Sequence, residues 1–552
     1  MDPSAGVRNS PSDLAPLPQC VILVQTWHPS HRTSSAPSAV CPWASPRSQP
    51  LLTRWELLTH TALTPHASSG PSAFTQASRV MDPDKLDHHA WSYHGEGNRS
   101  LVASHLQIPR VLRFLKYPAA DSENPPQTSE QTYKQIQSIV DFTSNIMCSF
   151  IGDEFIHSGE VVKLPLEFVR QLSIKVQHQR PAWRCNKVMD IYSGCALCLP
   201  NLTTPLYHTP TLAPPLCIEI KPKCGFLPSS KHVTKEVKSR VCRFCMHQHY
   251  KVSNGMWKKR SLYCPLDLFS GNRQRMAFAI RHLIEEPQNN FKIFKGGQLI
   301  YSSRDRDRED FEDSADYVTS LLNQLRIYFT SSNQRISVHK SLLHDFIQVL
   351  VKALLSGGGA SMGDSSHRCT EGRGFCEGSS FSRERLRHNS QELPSHCVLS
   401  RVLHTQMLDS LDIEGLFPLY RRVEQHLHHF PKERSRLQVD GPYDEMFLQS
   451  LHKCPAEDDG SVEYAVARVH QYRAAMTAKD CSIMITLMPT AEEDDGHQRT
   501  LSVSVLDLDP KPFESVPRQM RLDQKVVNSF IRNSTGLKPP PREDCMLLFH
   551  PV

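Results

Sequence analysis

Glu219-Ile220-Lys221-Pro222-Lys223-Cys224-Gly225-Phe226-Leu227-Pro228 follows the apolar run Leu216-Cys217-Ile218, and its reading sets that of the whole chain. A short apolar run of this kind predicts a buried strand, and this one ends by delivering one carboxylate and two ammonium groups. Residues of an extended chain alternate faces, so Glu219, Lys221 and Lys223 are expected on one side and Ile220 in a core. Pro222 interrupts the ladder and Gly225 allows a tight exit. Two lysines on one strand face repel unless an anion lies between them, so the stretch predicts an anion site. The plainer alternative is a solvated edge strand guarded by lysines.

Working outward, 552 residues suffice for a large core and more than one domain. With 39% hydrophobic and 22% charged residues, and no apolar run near the roughly 18 residues of a membrane span, a globular chain outside the membrane is expected. No basic segment followed by an apolar stretch opens the sequence, so no signal peptide is expected. Seventeen cysteines in a non-secreted chain then read as reduced thiols, some ligating metal, rather than a disulfide framework. A net charge of +6 is small for this length. It fits a local basic pocket better than a nucleic-acid surface, whose usual footprint is a strongly basic domain.

Residues 1–80 hold 11 Pro, 13 Ser, no Lys and only eight charged residues, and sustain no apolar periodicity. Such a composition cannot offset the entropy of ordering, so a disordered extension is expected there. Between residues 91 and 116 the pattern is strand, glycine turn, strand, turn, strand (WSYH, GEGN, SLVASHL, VLRFLK). A helix is predicted over 133–150, a strand at 161–163, a helix over 166–176 and a strand at 195–199. Pro200-Asn201 then marks a lobe boundary, giving an N-terminal lobe of 81–200 and a larger one of 201–552. Within the second, the charge run at about 302–315 is expected to be a solvated loop, and the Gly/Ser/Arg-rich 356–395 a disordered insert. Helices over 398–411 and 462–476 and strands at 482–487 and 501–508 complete an α+β fold in two lobes, with no internal repeat.

Gly95-Glu96-Gly97-Asn98 between two strands is a candidate phosphate-covering loop, because glycines let backbone N–H groups approach an anion. A hairpin turn is the commoner use of such a pattern. Asp480 precedes the strand IMITLM and Asp507 ends SVSVLDLD, so the two carboxylates can converge on one cleft. Aspartate also ends strands simply as a turn former. Cys242, Cys245 and His249 stand at i, i+3 and i+7, within about 60° of one another on a helix. With Cys264 they make a Cys₃His set suited to structural zinc, and His247 replaces His249 if the segment is not helical. Buried free thiols are the alternative. On a helix His247 and Lys251 face the opposite side.

EIKPKCGFLP, together with CRFCMHQH (242–249), YCPLDLFSGN (263–272), EEPQNNFKIF (285–294), LDIEGL (411–416) and TAKDCSIMI (477–485), resembles the inositol-pentakisphosphate 2-kinase family, from about residue 81 to about 523. The resemblance implies transfer of a phosphoryl group from ATP, with Mg²⁺, to the 2-hydroxyl of inositol 1,3,4,5,6-pentakisphosphate, giving the hexakisphosphate. It implies a two-lobed inositol-phosphate kinase fold, with a glycine loop in the small lobe and the substrate pocket in the large one. By resemblance Gly95, Gly97, Asn98 and Arg113 bind ATP, Asn201 contacts adenine, and Glu219 lines the purine–ribose or structural side of the cleft. Asp480 is the base, Asp507 the Mg²⁺ ligand, and Ser482 a further catalytic-site residue that contacts the metal or supports its ligands. The substrate carries roughly −8 to −10 of charge. Arg180, Lys221, Lys223, His247, Lys251, Asn289, Asn290, Lys292 and Lys511 are the groups expected to hold it. Ser515 and Gln519 depart from the arginine and tyrosine of plant members, with Arg518 or Arg521 as substitutes. The expected partner is this small molecule, with no membrane and no required nucleic acid, for a monomer in nucleus and cytoplasm. The rival readings are a non-catalytic inositol-phosphate- or RNA-binding scaffold and a zinc-stabilised adaptor. Retention of both Asp480 and Asp507 argues against a decayed enzyme.

Overall fold

The computed structural model describes residues 86–121, 127–204, 213–303, 314–329, 338–357, 392–489 and 499–533. All belong to one compact unit, Val80–Val552. The expected extension at 1–80 lies outside the described residues, as does most of each expected insert, at 304–313 and 358–391.

The fold is α+β, built on two antiparallel sheets. The first contains β1 (Trp91–Glu96), β2 (Ser100–His105), β3 (Arg110–Pro118), β4 (Glu160–Lys163), β5 (Lys187–Met189) and β6 (Cys195–Pro200), in the order β1-β2-β3-β6-β4 with β5 on β3. Alternation along these strands sends Trp91, Leu101, Ala103, Leu112, Phe114, Ala196 and Cys198 into one core. Helix α1 (Ser129–Asp141) packs on the other face through Ile136, against Cys195 and Leu197. Thr128 and Gln131 form a capping box at its start. Its chain continues through a wide turn, Phe142–Met147, into Cys148–Ile151. Helix α2 (Leu166–Gln177) covers the first face with Phe168, Val169, Leu172 and Val176.

The second sheet contains β7 (Leu216–Ile220), β8 (Phe291–Lys295), β9 (Gln298–Tyr301), β10 (Ser482–Pro489) and β11 (Arg499–Leu506), in the order β11-β10-β7-β8-β9. Strand β7 is central, and all five of its residues are buried. Leu216, Ile218, Ile220, Phe291, Ile293, Ile483, Ile485, Val503 and Val505 face a large helical core. That core includes α3 (Arg243–Ser253), α4 (Arg273–Glu285), α5 (Ser314–Phe329), α6 (Val338–Leu354), α7 (Val398–Gln406) and α9 (Glu445–His452). Helices α8 (Asp412–His429) and α10 (Val462–Ala478) pack together in a second cluster with Phe513 and Val516, the latter opening α11 (Val516–Asn533). The helix expected over 398–411 therefore ends at Gln406, and a separate helix starts at Asp412, whose φ of 59° marks the break. Among the described residues no helix is long and apolar enough to cross a membrane.

The opening stretch departs from simple alternation. Strand β7 stops at Ile220, and Lys223 adopts a left-handed φ of 62°. Gly225 is not left-handed; its need is space, since a Cβ there would lie 2.4 Å from the Phe269 ring. Lys221 and Lys223 thus reach the same cleft by a turn rather than along one strand face.

Candidate active site

The face of the second sheet opposite its core carries Glu219 from β7, Lys292 from β8 and Ser482 from β10, because each alternates with core residues. Asp507 follows β11 directly, with a left-handed φ of 62° that turns the chain at the strand end. Asp480 follows the last turn of α10 and precedes β10. The expectation that strand-end aspartates converge is met: both join one charged cluster.

Lys221 Nζ stands 2.6 Å from Asp507 Oδ2 and 3.8 Å from Glu219 Oε1, and Lys292 Nζ is 2.6 Å from Glu219 Oε2. Lys223 and Lys511 each bind one oxygen of Asp480, both at 3.1 Å. Ser482 Oγ lies 3.0 Å from Glu219 Oε1 and 3.1 Å from Asp507 Oδ2, so its single proton serves one carboxylate at a time. Arg113 grips Asp509 with both terminal nitrogens and donates from Nε to Ser100 Oγ at 2.9 Å. This pair ties the first sheet to the segment after β11.

Electrostatics follow from these neighbours. Removal from water works to raise the Asp480 carboxyl, but Lys223 and Lys511 outweigh it and hold it below its ordinary value. For Asp507 the same opposition is won by Lys221 and Arg113, and for Glu219 by Lys292 and Lys221. All three are therefore ionised at neutral pH. Asp480 and Asp507 remain about half exposed, at 56% and 55%, so a ligand can reach them.

Beside this cluster α3 presents His247 and Lys251, as its helical wheel predicts. Burial, then Arg243, Lys251 and Lys223, push the His247 imidazole down to about 3. Burial, then Lys223, hold the Lys251 ammonium below its usual range. Cations that depress one another in this way favour an anion among them. The Lys251 ammonium also lies 5.7 Å from the Trp257 ring centroid. Asn290 is buried with its Oδ1 unpartnered and its backbone carbonyl accepting from Lys221 N, whereas Asn289 is exposed.

The remaining expected residues divide. Gly95 lies within β1, opposite Val102 at a register shift, and Gly97 and Asn98 belong to the β1–β2 turn, where Gly97 N donates to Ser100 O at 2.9 Å. Neither glycine is left-handed, and a Cβ at either would meet nothing within 4 Å. Glu96 between them is buried and ion-paired to Lys116 and Arg180. Arg180, expected to hold a phosphate, is instead 8% exposed. Nε and Nη2 bind the Glu96 carboxylate, both at 2.9 Å, and Nη1 binds Gln177. Its guanidinium anchors the glycine turn because the buried Glu96 needs a bidentate counter-ion. Asn201 is buried, and its Oδ1 accepts from the backbone N–H and the hydroxyl of Thr203, a local turn after β6.

Cys242, Cys245 and Cys264 bring their sulfurs within 4.8 Å of one another, all buried. His249 is not gathered with them: its Nε2 lies 2.7 Å from Arg260 Nη1 and its ring stands edge-on to Phe530. The soft-ligand stripe of the helix is therefore present for the thiols and turned aside at the histidine.

Sequence reasoning passed over Asp509, Glu96 and His94. A carboxylate two residues past Asp507 carried no motif. The role of Glu96 required knowing that its side chain points inward. His94 lies nearly parallel to Phe294, with centroids 6.1 Å apart, above an apolar patch of Cys217, Phe294 and Met484 flanked by Leu202 and Leu506.

Comparison with known proteins agrees with the motifs. Residues 93–525 match the profile of the inositol-pentakisphosphate 2-kinase family. The chain is 53% identical over 491 residues to an inositol-pentakisphosphate 2-kinase of Danio rerio, covering 86% of this chain and 100% of that relative. Similarity extends to enzymes of the same name in Oryza sativa subsp. indica, at 27% over 80% of this chain and 94% of the relative, and in Arabidopsis thaliana, at 26% over 81% and 95%. The chain belongs to the inositol-pentakisphosphate 2-kinase family.

Proposed function

We propose that this protein transfers the γ-phosphoryl group of ATP to the 2-hydroxyl of inositol 1,3,4,5,6-pentakisphosphate, giving inositol hexakisphosphate. The observation that carries the reading is Asp480 held between Lys223 and Lys511. A carboxylate ionised at neutral pH can accept the hydroxyl proton, while flanking ammonium groups grip the phosphates on either side of that hydroxyl. Lys221, Lys251 and Lys292 extend the same basic wall, and His247 adds a neutral imidazole that can donate a hydrogen bond.

In this reading the first sheet is the small lobe and its glycine turn covers the ATP phosphates. Open space at Gly95 and Gly97 supports this, since nothing in the fold itself forbids a side chain there. Arg113 and Ser100 face the phosphate end, and the patch of Cys217, Phe294 and Met484 offers the purine an apolar floor. The second sheet and its helices are the large lobe, and closure of the two excludes water around the reacting groups.

Asp507, Asp509, Glu219 and Ser482 supply hard oxygen donors of the kind Mg²⁺ takes, so these residues would hold it. When bound, the ion neutralises charge on the transferring phosphoryl group. The three clustered thiols suit zinc: bonds of about 2.3 Å at tetrahedral angles separate sulfurs by about 3.8 Å, and Cys242 and Cys264 stand 3.8 Å apart. His249 would complete the set by releasing Arg260.

The test is the product formed from Mg-ATP and pentakisphosphate. Wild type should yield hexakisphosphate, and Asp480→Asn should lower kcat by about 10²- to 10⁴-fold. Hexakisphosphate formation at the wild-type rate by Asp480→Asn would remove Asp480 as base. A folded, ATP-binding wild type that makes no product would leave a binding protein.

A further inference from the structure

Gln406, the last residue of α7, lies outside every group the reaction uses, yet it is fully buried beneath the site. Its Nε2 donates to the carbonyl of Lys223 at 2.8 Å and to that of Ala478 at 3.2 Å. Its Oε1 accepts from Gly225 N at 2.8 Å. Both N–H donors and the acceptor of one amide are thereby engaged with two chain segments far apart in sequence. One is the left-handed turn at Lys223, a conformation a lysine adopts only when its surroundings impose it. The other is the end of α10, where Ala478 precedes Lys479 and Asp480.

We infer that Gln406 is a positioning residue for phosphoryl transfer, clamping the Lys223 turn to the end of α10 so that the Lys223 ammonium and the Asp480 carboxylate stand at a fixed separation. That separation is 3.1 Å. No other side chain of this length matches the three backbone groups. Glutamate would aim a carboxylate at two carbonyls, and methionine, nearly the same shape, would leave all three unpaired. The effect on catalysis is geometric: a base and a phosphate-binding cation that drift apart by an ångström lose the alignment of hydroxyl and ATP. Lys479, beside the clamp, is fixed separately by Asp409 at 2.6 Å, so loss of the amide frees the Lys223 side more than the helix end.

The inference rests on the roles proposed above for Asp480 and Lys223, and the experiment separates the two. Full-length wild type, Gln406→Met, Lys223→Met and the double variant are assayed with Mg-ATP and pentakisphosphate. Gln406→Met should lower kcat by about tenfold or more and leave the ATP KM within about twofold. The double variant should fall within about threefold of Lys223→Met alone, because the clamp acts through that lysine. Thr405→Val is the folding control: its neighbouring buried hydroxyl donates only to Arg401 O, so kcat should be unchanged. Should Gln406→Met not fold, Gln406→Asn, which keeps the amide on a shorter stem, is read by the same criteria. Wild-type kcat in a folded Gln406 variant, or effects that multiply in the double variant, would overturn the assignment. Absence of product from wild type would instead strike the reaction itself.

Discussion

At the scale of single residues, the site is a set of ion pairs whose worth depends on what surrounds them. Lys223 and Lys511 on Asp480 sit in an open cleft, where such pairs add little stability and are free to exchange partners with a ligand. Glu96, Lys116 and Arg180 are different: their side chains are at most 1% exposed, and each was taken out of water to form the group. Arg180→Met leaves Glu96 its Lys116 counter-ion but removes the two guanidinium bonds to the buried carboxylate, so it should lower the urea-unfolding free energy by about 2 kcal/mol. Unchanged stability with a raised pentakisphosphate KM would return Arg180 to the substrate pocket. The position was expected there because charge and motif are visible in a sequence, whereas the inward direction of Glu96 is not.

At the scale of elements, α3 has two chemically distinct faces. Cys242 caps its start and Cys245 lies one turn on, meeting Cys264 from a separate loop, while His247 and Lys251 lie toward Lys223. If zinc ties the thiols, the metal fixes the register of the helix against the Cys264 loop and so the place of Lys251. Purified protein should then carry about one zinc per chain, and Cys264→Ser should lose it, lower the Tm and raise the pentakisphosphate KM. Zinc-free protein with the same Tm and KM would make the thiols plain core groups. The spacing of Cys242, Cys245 and His249 was legible as a helical stripe. The turning of His249 toward Arg260 was not, since Arg260 approaches from beyond the helix.

At the scale of the whole molecule, α10 is buried on nearly every side and carries His470, which is 3% exposed with neither ring nitrogen bonded to protein. Burial, then Arg473, hold its imidazole well below the usual value, so it stays neutral in the folded state. The unfolded chain takes up a proton there below about pH 6.5 and the folded chain does not, so stability falls as pH drops through that value. The slope is about 1.4 kcal/mol per pH unit for one such group. Between pH 7 and 5 the Tm should therefore decrease, and His470→Leu should flatten that decrease. An identical pH dependence in the variant would show that His470 does not contribute to it.

What the sequence determined by itself was local chemistry: apolar alternation in β7, β10 and β11, the amphipathic runs of the helices, the carboxylates at strand ends and the ordered motifs of a kinase family. Each is written within a few residues, where the periods of strand and helix and the needs of an anion act directly. Only the tertiary structure decided which charges meet. It turned Lys223 into the cleft through a left-handed residue and paired Arg113 with Asp509. It buried Arg180 against Glu96, moved His249 away from the thiols and set Gln406 between Lys223 and Ala478. These outcomes depend on the distance between side chains remote in sequence, which packing of the two sheets and their helices imposes and no local period encodes.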